Sequence, residues 1–136
     1  MDVWQLAQLL VSAAIFSFIW FVQLVHYPFF QFVAQQDFSQ AMLEHQRRIS
    51  YLAIPLMLAE LAITSYQVFM QQREVVLLLL VAIVWASTAL LQVPRHRQLE
   101  RGKDLSVIRS LVATNWIRTV AWSLKFALIL RASWPS

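Results

Sequence analysis

Four long apolar runs, at about 4–32, 51–70, 75–93 and 105–130, leave this chain of 136 residues few ways to fold. Each is about long enough to cross a ~30 Å hydrocarbon core at roughly 1.5 Å per residue. Backbone polar groups in that core must be satisfied within the segment, as they are in a helix. The composition agrees: 60% hydrophobic, 13% charged and a single glycine. Soluble domains depart from such a profile, whereas helical membrane proteins match it. The sequence therefore predicts an all-α integral membrane four-helix bundle, up-down-up-down, as one domain over residues 1–136. No GxxxG motif is available, so alanine, serine and threonine must provide the close helix approaches.

The breaks between runs set the layout. Pro28 is read as kinking or ending the first run. The polar link Gln35-Gln36-Asp37 and a part-polar helical stretch from Phe38 to Ser50 follow. Pro55 can bend the second run, and Glu60 lies near its middle. The turn Gln71–Glu74 precedes the third run, the most uniformly apolar, which is read as stopping at Pro94. A basic loop spans Arg95–Asp104, with Asp104 or Ser106 as cap of the fourth helix. One side of the membrane then holds Arg47, Arg48, Arg95, Arg97, Arg101, Lys103 and Arg109. The other holds Arg73 and Arg131, with Lys125 able to snorkel toward it. Basic residues mark the cytoplasmic side, so both termini are expected to be non-cytoplasmic. The net charge of +4 reads as this anchoring and not as a nucleic-acid surface. Met1-Asp2-Val3-Trp4 lacks a basic leader and is read as the start of a retained helix. The absence of cysteine excludes disulfides, thiolate metal sites and cysteine nucleophiles.

Arg118 is the costly residue, at about 2.5 kcal/mol or more near the bilayer centre. It must face a partner, a cavity or water. Leu111, Asn115, Arg118, Trp122 and Lys125 share one helical face, with Thr114 at its edge. Counted from Tyr51, Glu60 lies roughly 13 Å deep; from Leu105, Asn115 and Arg118 lie roughly 15 and 20 Å deep. Glu60 is therefore the expected partner of Arg118. His26, Gln23, Thr88 and Gln92 fall in the same half, flanked by His45 and His96. The expectation is a polar cup opening toward the cytoplasm and floored by Glu60, Asn115 and Arg118. His26, Glu60, Asn115 and Arg118 are its candidate catalytic residues. Gln23, Thr88, Gln92, Thr114 and Trp122 are its candidate substrate contacts. Glu60 or His26 can move a proton, while Asn115 and Arg118 can hold an oxyanion. The same Glu60–Arg118 pair also reads as a structural clamp. His26, His45 and His96 are the imidazoles available to a metal, but no HxxH, HExxH or ExxH pair fixes two ligands on adjacent turns. The residues specify no cofactor.

Three motifs carry a resemblance: His26-Tyr27-Pro28, Val93-Pro94-Arg95-His96-Arg97-Gln98-Leu99, and Asn115-Trp116-Ile117-Arg118-Thr119. With the four-run layout, the chain resembles the anthrone-oxygenase-like family of small four-helix bacterial membrane proteins. That family's pattern has asparagine where this chain has His96. The resemblance implies a multi-pass protein of the bacterial inner membrane. It also implies, for some members, oxidation of polycyclic phenolic anthrones by oxygen without an evident cofactor. In that chemistry His26 would deprotonate the phenol, and Asn115 and Arg118 would hold the anion. A looser likeness, to small four-helix membrane protoporphyrinogen oxidases, rests on the helix-one histidine. The leading expectation is an oxidoreductase acting on a lipophilic aromatic substrate within the lipid bilayer. The alternatives are a non-catalytic accessory or structural subunit of a membrane complex, and a haem-, quinone- or metal-binding membrane protein. The apolar third helix suits a homo-oligomer or a larger complex.

Overall fold

The computed structural model describes residues 1–134, and they are almost entirely helical, with no strand among them. Helix α1 is Val3–Phe32. A capping box opens it: the Asp2 carboxylate accepts from the Gln5 N–H at 2.8 Å, and the Gln5 side chain accepts from the Asp2 N–H at 3.0 Å. Helix α2 is Phe38–Met70, preceded by a 3-10 turn at Gln35–Asp37. Helix α3 is Val75–Leu99, and α4 is Leu105–Ser133. Asp104 caps α4, accepting from the N–H groups of Ser106 at 2.8 Å and Val107 at 3.3 Å. Gly102 takes φ +150° in the α3–α4 loop, where a side chain would be strained.

Two boundaries differ from those read in the sequence, at Pro94 and at the start of α2, while α1 reaches Phe32 as read. Neither Pro28 nor Pro94 ends its helix. Each follows a π-helical turn, Val22–His26 before Tyr27-Pro28 and Thr88–Gln92 before Val93-Pro94. In these turns the N–H of Tyr27 bonds to the Val22 carbonyl, and that of Val93 to the Thr88 carbonyl. The wider turn makes room for a ring that has no N–H to donate, so the helix continues past it. Helix α1 runs on through Tyr27–Phe29 and a closing 3-10 turn at Phe30–Phe32, and α3 runs on through Val93–Leu99. The second difference is in α2. Its apolar run is only part of an unbroken 33-residue helix that starts at Phe38 and passes through Pro55, which lies on the exposed side.

Packing is most extensive between α4 and both α1 and α3; α2 packs on α1 and less on α3. Ile15, Ile19, Val84, Ile108 and Leu111 form part of the shared apolar core. The distribution of polarity is inverted relative to a water-soluble protein. Gln8, Ser12, Gln23, Glu60, Asn115 and Lys125 are buried, while Phe21, Leu24, Phe29, Leu79, Leu90 and Leu124 are exposed. Apolar surface on this scale fits a lipid environment. Three helices, Val3–Phe32, Gln35–Met70 and Val75–Leu99, are long and apolar enough to cross a membrane. Helix α4 is comparably long but carries Arg109, Arg118, Lys125 and Arg131.

Candidate functional site

Helix α4 presents one face to the interior, as its spacing predicts. Leu111, Asn115, Arg118, Trp122 and Lys125 are all buried, while Trp116, Val120 and Leu124 on the opposite side are exposed. The buried face meets polar groups in two separate layers.

The first layer is a closed ion pair. Glu60 Oε1 lies 3.0 Å from Lys125 Nζ, with both side chains only 1% exposed. The contact has ion-pair distance but not hydrogen-bond alignment. Trp122 Nε1 donates to the other carboxylate oxygen at 2.8 Å, and Lys125 Nζ donates to Ser12 Oγ at 3.3 Å. Gln8 and Thr64 extend the polar stripe, with Gln8 Nε2 donating to Thr64 Oγ1 at 3.2 Å. The expected Glu60–Arg118 pair is thus replaced by Glu60–Lys125, and Lys125 turns inward instead of snorkelling. Depth explains the change. Counted from Phe38, where α2 starts, Glu60 lies roughly 33 Å along its helix, which matches Lys125 at roughly 30 Å along α4 and not Arg118 at roughly 20 Å.

The second layer gathers all three histidines, one from each of α1, α2 and α3. His26 Nε2 and His45 Nδ1 are 2.7 Å apart, sharing one proton in a direction set by their tautomers. The His45 and His96 rings stack with centroids 5.6 Å apart. The Tyr27 hydroxyl and His96 Nε2 are hydrogen-bonded at 3.1 Å. Phe30 sets its edge against His45 at 4.9 Å and His26 at 5.3 Å. The Tyr27 hydroxyl also neighbours the Arg118 guanidinium. Arg118 in turn lies 5.2 Å from the centroid of the Trp122 ring, a cation–π contact between the two layers. Among the described residues, His45 Nε2, His96 Nδ1 and Arg118 Nε are buried without a hydrogen-bond partner. Among the described residues, no group of three or more His, Asp or Glu side chains is arranged to hold a metal.

Between the layers, the π-helical turns clamp α4. From the α1 turn, Gln23 Oε1 accepts from Asn115 Nδ2 at 2.9 Å and Thr119 Oγ1 at 3.0 Å, while its Nε2 donates to the Val112 carbonyl at 3.1 Å. From the α3 turn, Gln92 Nε2 donates to Thr114 Oγ1 at 3.2 Å. Thr88 bonds back to the Val84 carbonyl at 2.8 Å. Of the expected substrate contacts, Gln23, Gln92 and Thr114 therefore join a helix-to-helix web, Trp122 holds Glu60, and Thr88 serves its own helix.

The expected cup is divided. Asn115 is engaged by Gln23, and Glu60 belongs to the deeper ion pair. The open groove, about 310 Å³, is lined by His26, Ala41, His45, Arg48, Ile49 and Leu52. None of Glu60, Asn115 and Arg118 lines it. Ser12 and Phe30 join these layers without having been singled out by the sequence, and Tyr27 and Thr119 stood there only as motif members with no role assigned. A signal for the first existed: Gln8 and Ser12 are four apart, and Glu60, Thr64 and Gln67 repeat at four and three, so each set forms one polar stripe. Tyr27 and Phe30 give no such signal within an aromatic-rich segment.

Compared with known protein families, with curated proteins and with solved structures, the chain matches none.

Proposed function

We propose that the chain is a four-span protein of the bacterial inner membrane, an up-down-up-down bundle with both termini outside the cytoplasm. Its open histidine groove would bind a lipophilic phenol and take its proton, as the first step of an oxidation. Helix α4 serves as the fourth span because its costly charges do not meet lipid. Arg118 and Lys125 point inward, and the outward positions Trp116, Ile117, Val120 and Leu124 are apolar. The bias of basic residues toward the end bearing His45 and His96 supports the orientation.

One observation carries the site. The groove combines two hydrogen-bonded histidines with the apolar walls of Ala41, Ile49 and Leu52. An aromatic ring fits those walls, and its hydroxyl can meet His26. The His26–His45 contact lets an acquired proton be shared between the two rings, so the base is not a single imidazole. Supporting this, the three motifs behind the family resemblance supply His26, Tyr27, His96 and Arg118 to one end of the molecule. For an anthrone the overall change balances as anthrone plus oxygen giving anthraquinone plus water. Oxygen is reduced, and the proton leaves from the phenolic tautomer.

Reconstituted protein given anthrone should consume oxygen and form anthraquinone faster than empty liposomes do. His26→Gln and His45→Gln should lower that rate about a hundredfold, the usual scale of a lost general base. A rate equal to that of empty liposomes would remove the oxidation from the reading. Unaltered binding of a fluorescent lipophilic phenol in both variants would remove the groove.

A further inference from the structure

The end of the molecule away from the histidines holds a second cleft, of about 410 Å³. Its mouth carries Arg73, Glu74 and Arg131, its wall includes Leu77 and Leu128, and Gln8 lies at its base. Three observations make it more than a surface dip. Gln8 is only 2% exposed, and while its Nε2 is bonded to Thr64, its Oε1 is buried with no donor. That carbonyl calls for a donor that the described residues do not provide. Among the described residues, neither Arg73 nor Arg131 lies within salt-bridge distance of a carboxylate. Among the described residues lining the mouth, two arginines against Glu74 leave one net positive charge. Finally, charge at the mouth and leucine on the wall together suit an amphiphile.

We propose that this cleft binds an anionic phospholipid with a phosphoglycerol headgroup. The phosphodiester sits between Arg73 and Arg131 and cancels the single net charge. A glycerol hydroxyl donates to Gln8 Oε1. The first acyl carbons lie along Leu77 and Leu128. A choline head has neither a donor nor a net charge, and an ethanolamine head has a donor but no net charge. Free phosphate has the charge but nothing for the leucines. The site shares no residue with the histidine groove and stands independently of the function proposed for it.

The test uses the full chain, purified in detergent and inserted into nanodiscs, with bound lipid measured by native mass spectrometry. Phosphatidylglycerol should bind more tightly than phosphatidylcholine, phosphatidylethanolamine and phosphatidylmethanol; the last keeps the charge and lacks the hydroxyl. Arg73→Gln with Arg131→Gln should weaken phosphatidylglycerol binding about twenty-fivefold, roughly fivefold for each arginine. Gln8→Met should abolish the preference for phosphatidylglycerol over phosphatidylmethanol. Equal binding of phosphatidylglycerol and phosphatidylcholine overturns the proposal, as does an arginine double variant that binds as well as the parent. Glycerol phosphate competing as strongly as the lipid overturns the lipid assignment in favour of a free anion. If Gln8→Met fails to fold, as judged by circular dichroism and size exclusion, the double arginine variant, altered only at the cleft mouth, still decides the matter.

Discussion

Truncating Lys125 tests the buried ion pair most directly. Lys125 and Glu60 are each 1% exposed and 3.0 Å apart. In Lys125→Met the carboxylate keeps its bond from Trp122 Nε1 at 2.8 Å but loses the one salt-bridge cation it has among the described residues. Removing one member of a buried pair typically costs about 3–5 kcal/mol, because the remaining charge stays desolvated and unmatched. The retained indole bond places the expected loss near the lower end, about 3 kcal/mol. Glu60→Gln should cost a similar amount, since it strands the ammonium with Ser12 alone. The double variant removes both charges and keeps a polar partner for Trp122, so its loss should be about 1–2 kcal/mol instead of the sum near 6. The coupling is then about 4 kcal/mol, far above the ~0.5 kcal/mol of independent sites. Unfolding by SDS in mixed micelles, followed by circular dichroism, measures all four proteins. Additive losses within ~0.5 kcal/mol would refute the pairing. The cycle of Glu60→Gln with Arg118→Met is the control, because sequence depth alone matched those two. Its coupling should be much smaller, reaching Glu60 only through the shared Trp122 ring.

Gln23→Leu should destabilise the protein by about 1–3 kcal/mol, since it strands the buried Asn115 amide and Thr119 hydroxyl; thermal unfolding in detergent measures it, and a change under ~0.5 kcal/mol would count against the clamp. Asp104 is held below the usual carboxylate range by hydrogen bonds from the Ser106 hydroxyl and from the Val107 and Ser106 N–H groups. A depressed folded-state pKa means that the cap's contribution is complete above the unfolded carboxylate pKa and is lost as pH falls through the folded value; hydrogen-exchange protection at Ser106 and Val107 should fall over that acid window in the parent but show no such step in Asp104→Ala. The chain has no cysteine, so Val120→Cys and Leu124→Cys can carry single spin labels. Both should be relaxed by oxygen and shielded from a water-soluble nickel reagent; strong nickel relaxation at either would place that face of α4 out of lipid.

The legible parts of the fold were those that depend on one helix at a time. The apolar runs announced the helices, and the spacing of Leu111, Asn115, Arg118, Trp122 and Lys125 announced the buried face of α4. Charge partners were harder because they depend on where a neighbouring helix begins. Apolarity begins at Tyr51 but α2 begins at Phe38, and this displaced Glu60 from the layer of Lys125 to that of Arg118. Proline misled for a related reason. In a sequence, Pro94 looks like an end and Pro28 like a kink or an end, because a missing N–H and a steric ring break a regular α-helix. The two π-helical turns remove that conflict, and nothing in residue spacing distinguishes a turn of that kind from a stop. The meeting of the histidines was half legible. An alternating layout brings the end of α1, the start of α2 and the end of α3 to one side, but ring stacking and the His26–His45 bond require the packed helices.

Arg118 decides how far the proposed proton transfer extends. It stands between the histidine layer and the Glu60–Lys125 pair, beside Tyr27 on one side and 5.2 Å from the Trp122 ring on the other. A guanidinium does not release its proton in a protein, and its charge repels an arriving one. A proton taken up at His26 can therefore be shared with His45, and the Tyr27 hydroxyl and His96 can exchange one, but the file ends at Arg118. The ion pair beyond it is also isolated by Trp122, whose indole N–H already occupies one carboxylate oxygen. On the proposed function, this separation lets one chain combine two demands that usually conflict. The deep layer keeps its charges fixed and matched, as a clamp requires, while the open layer keeps titratable rings near an accessible groove, as proton transfer requires. Arg118, first conspicuous as an isolated cost within an apolar run, is the boundary between them.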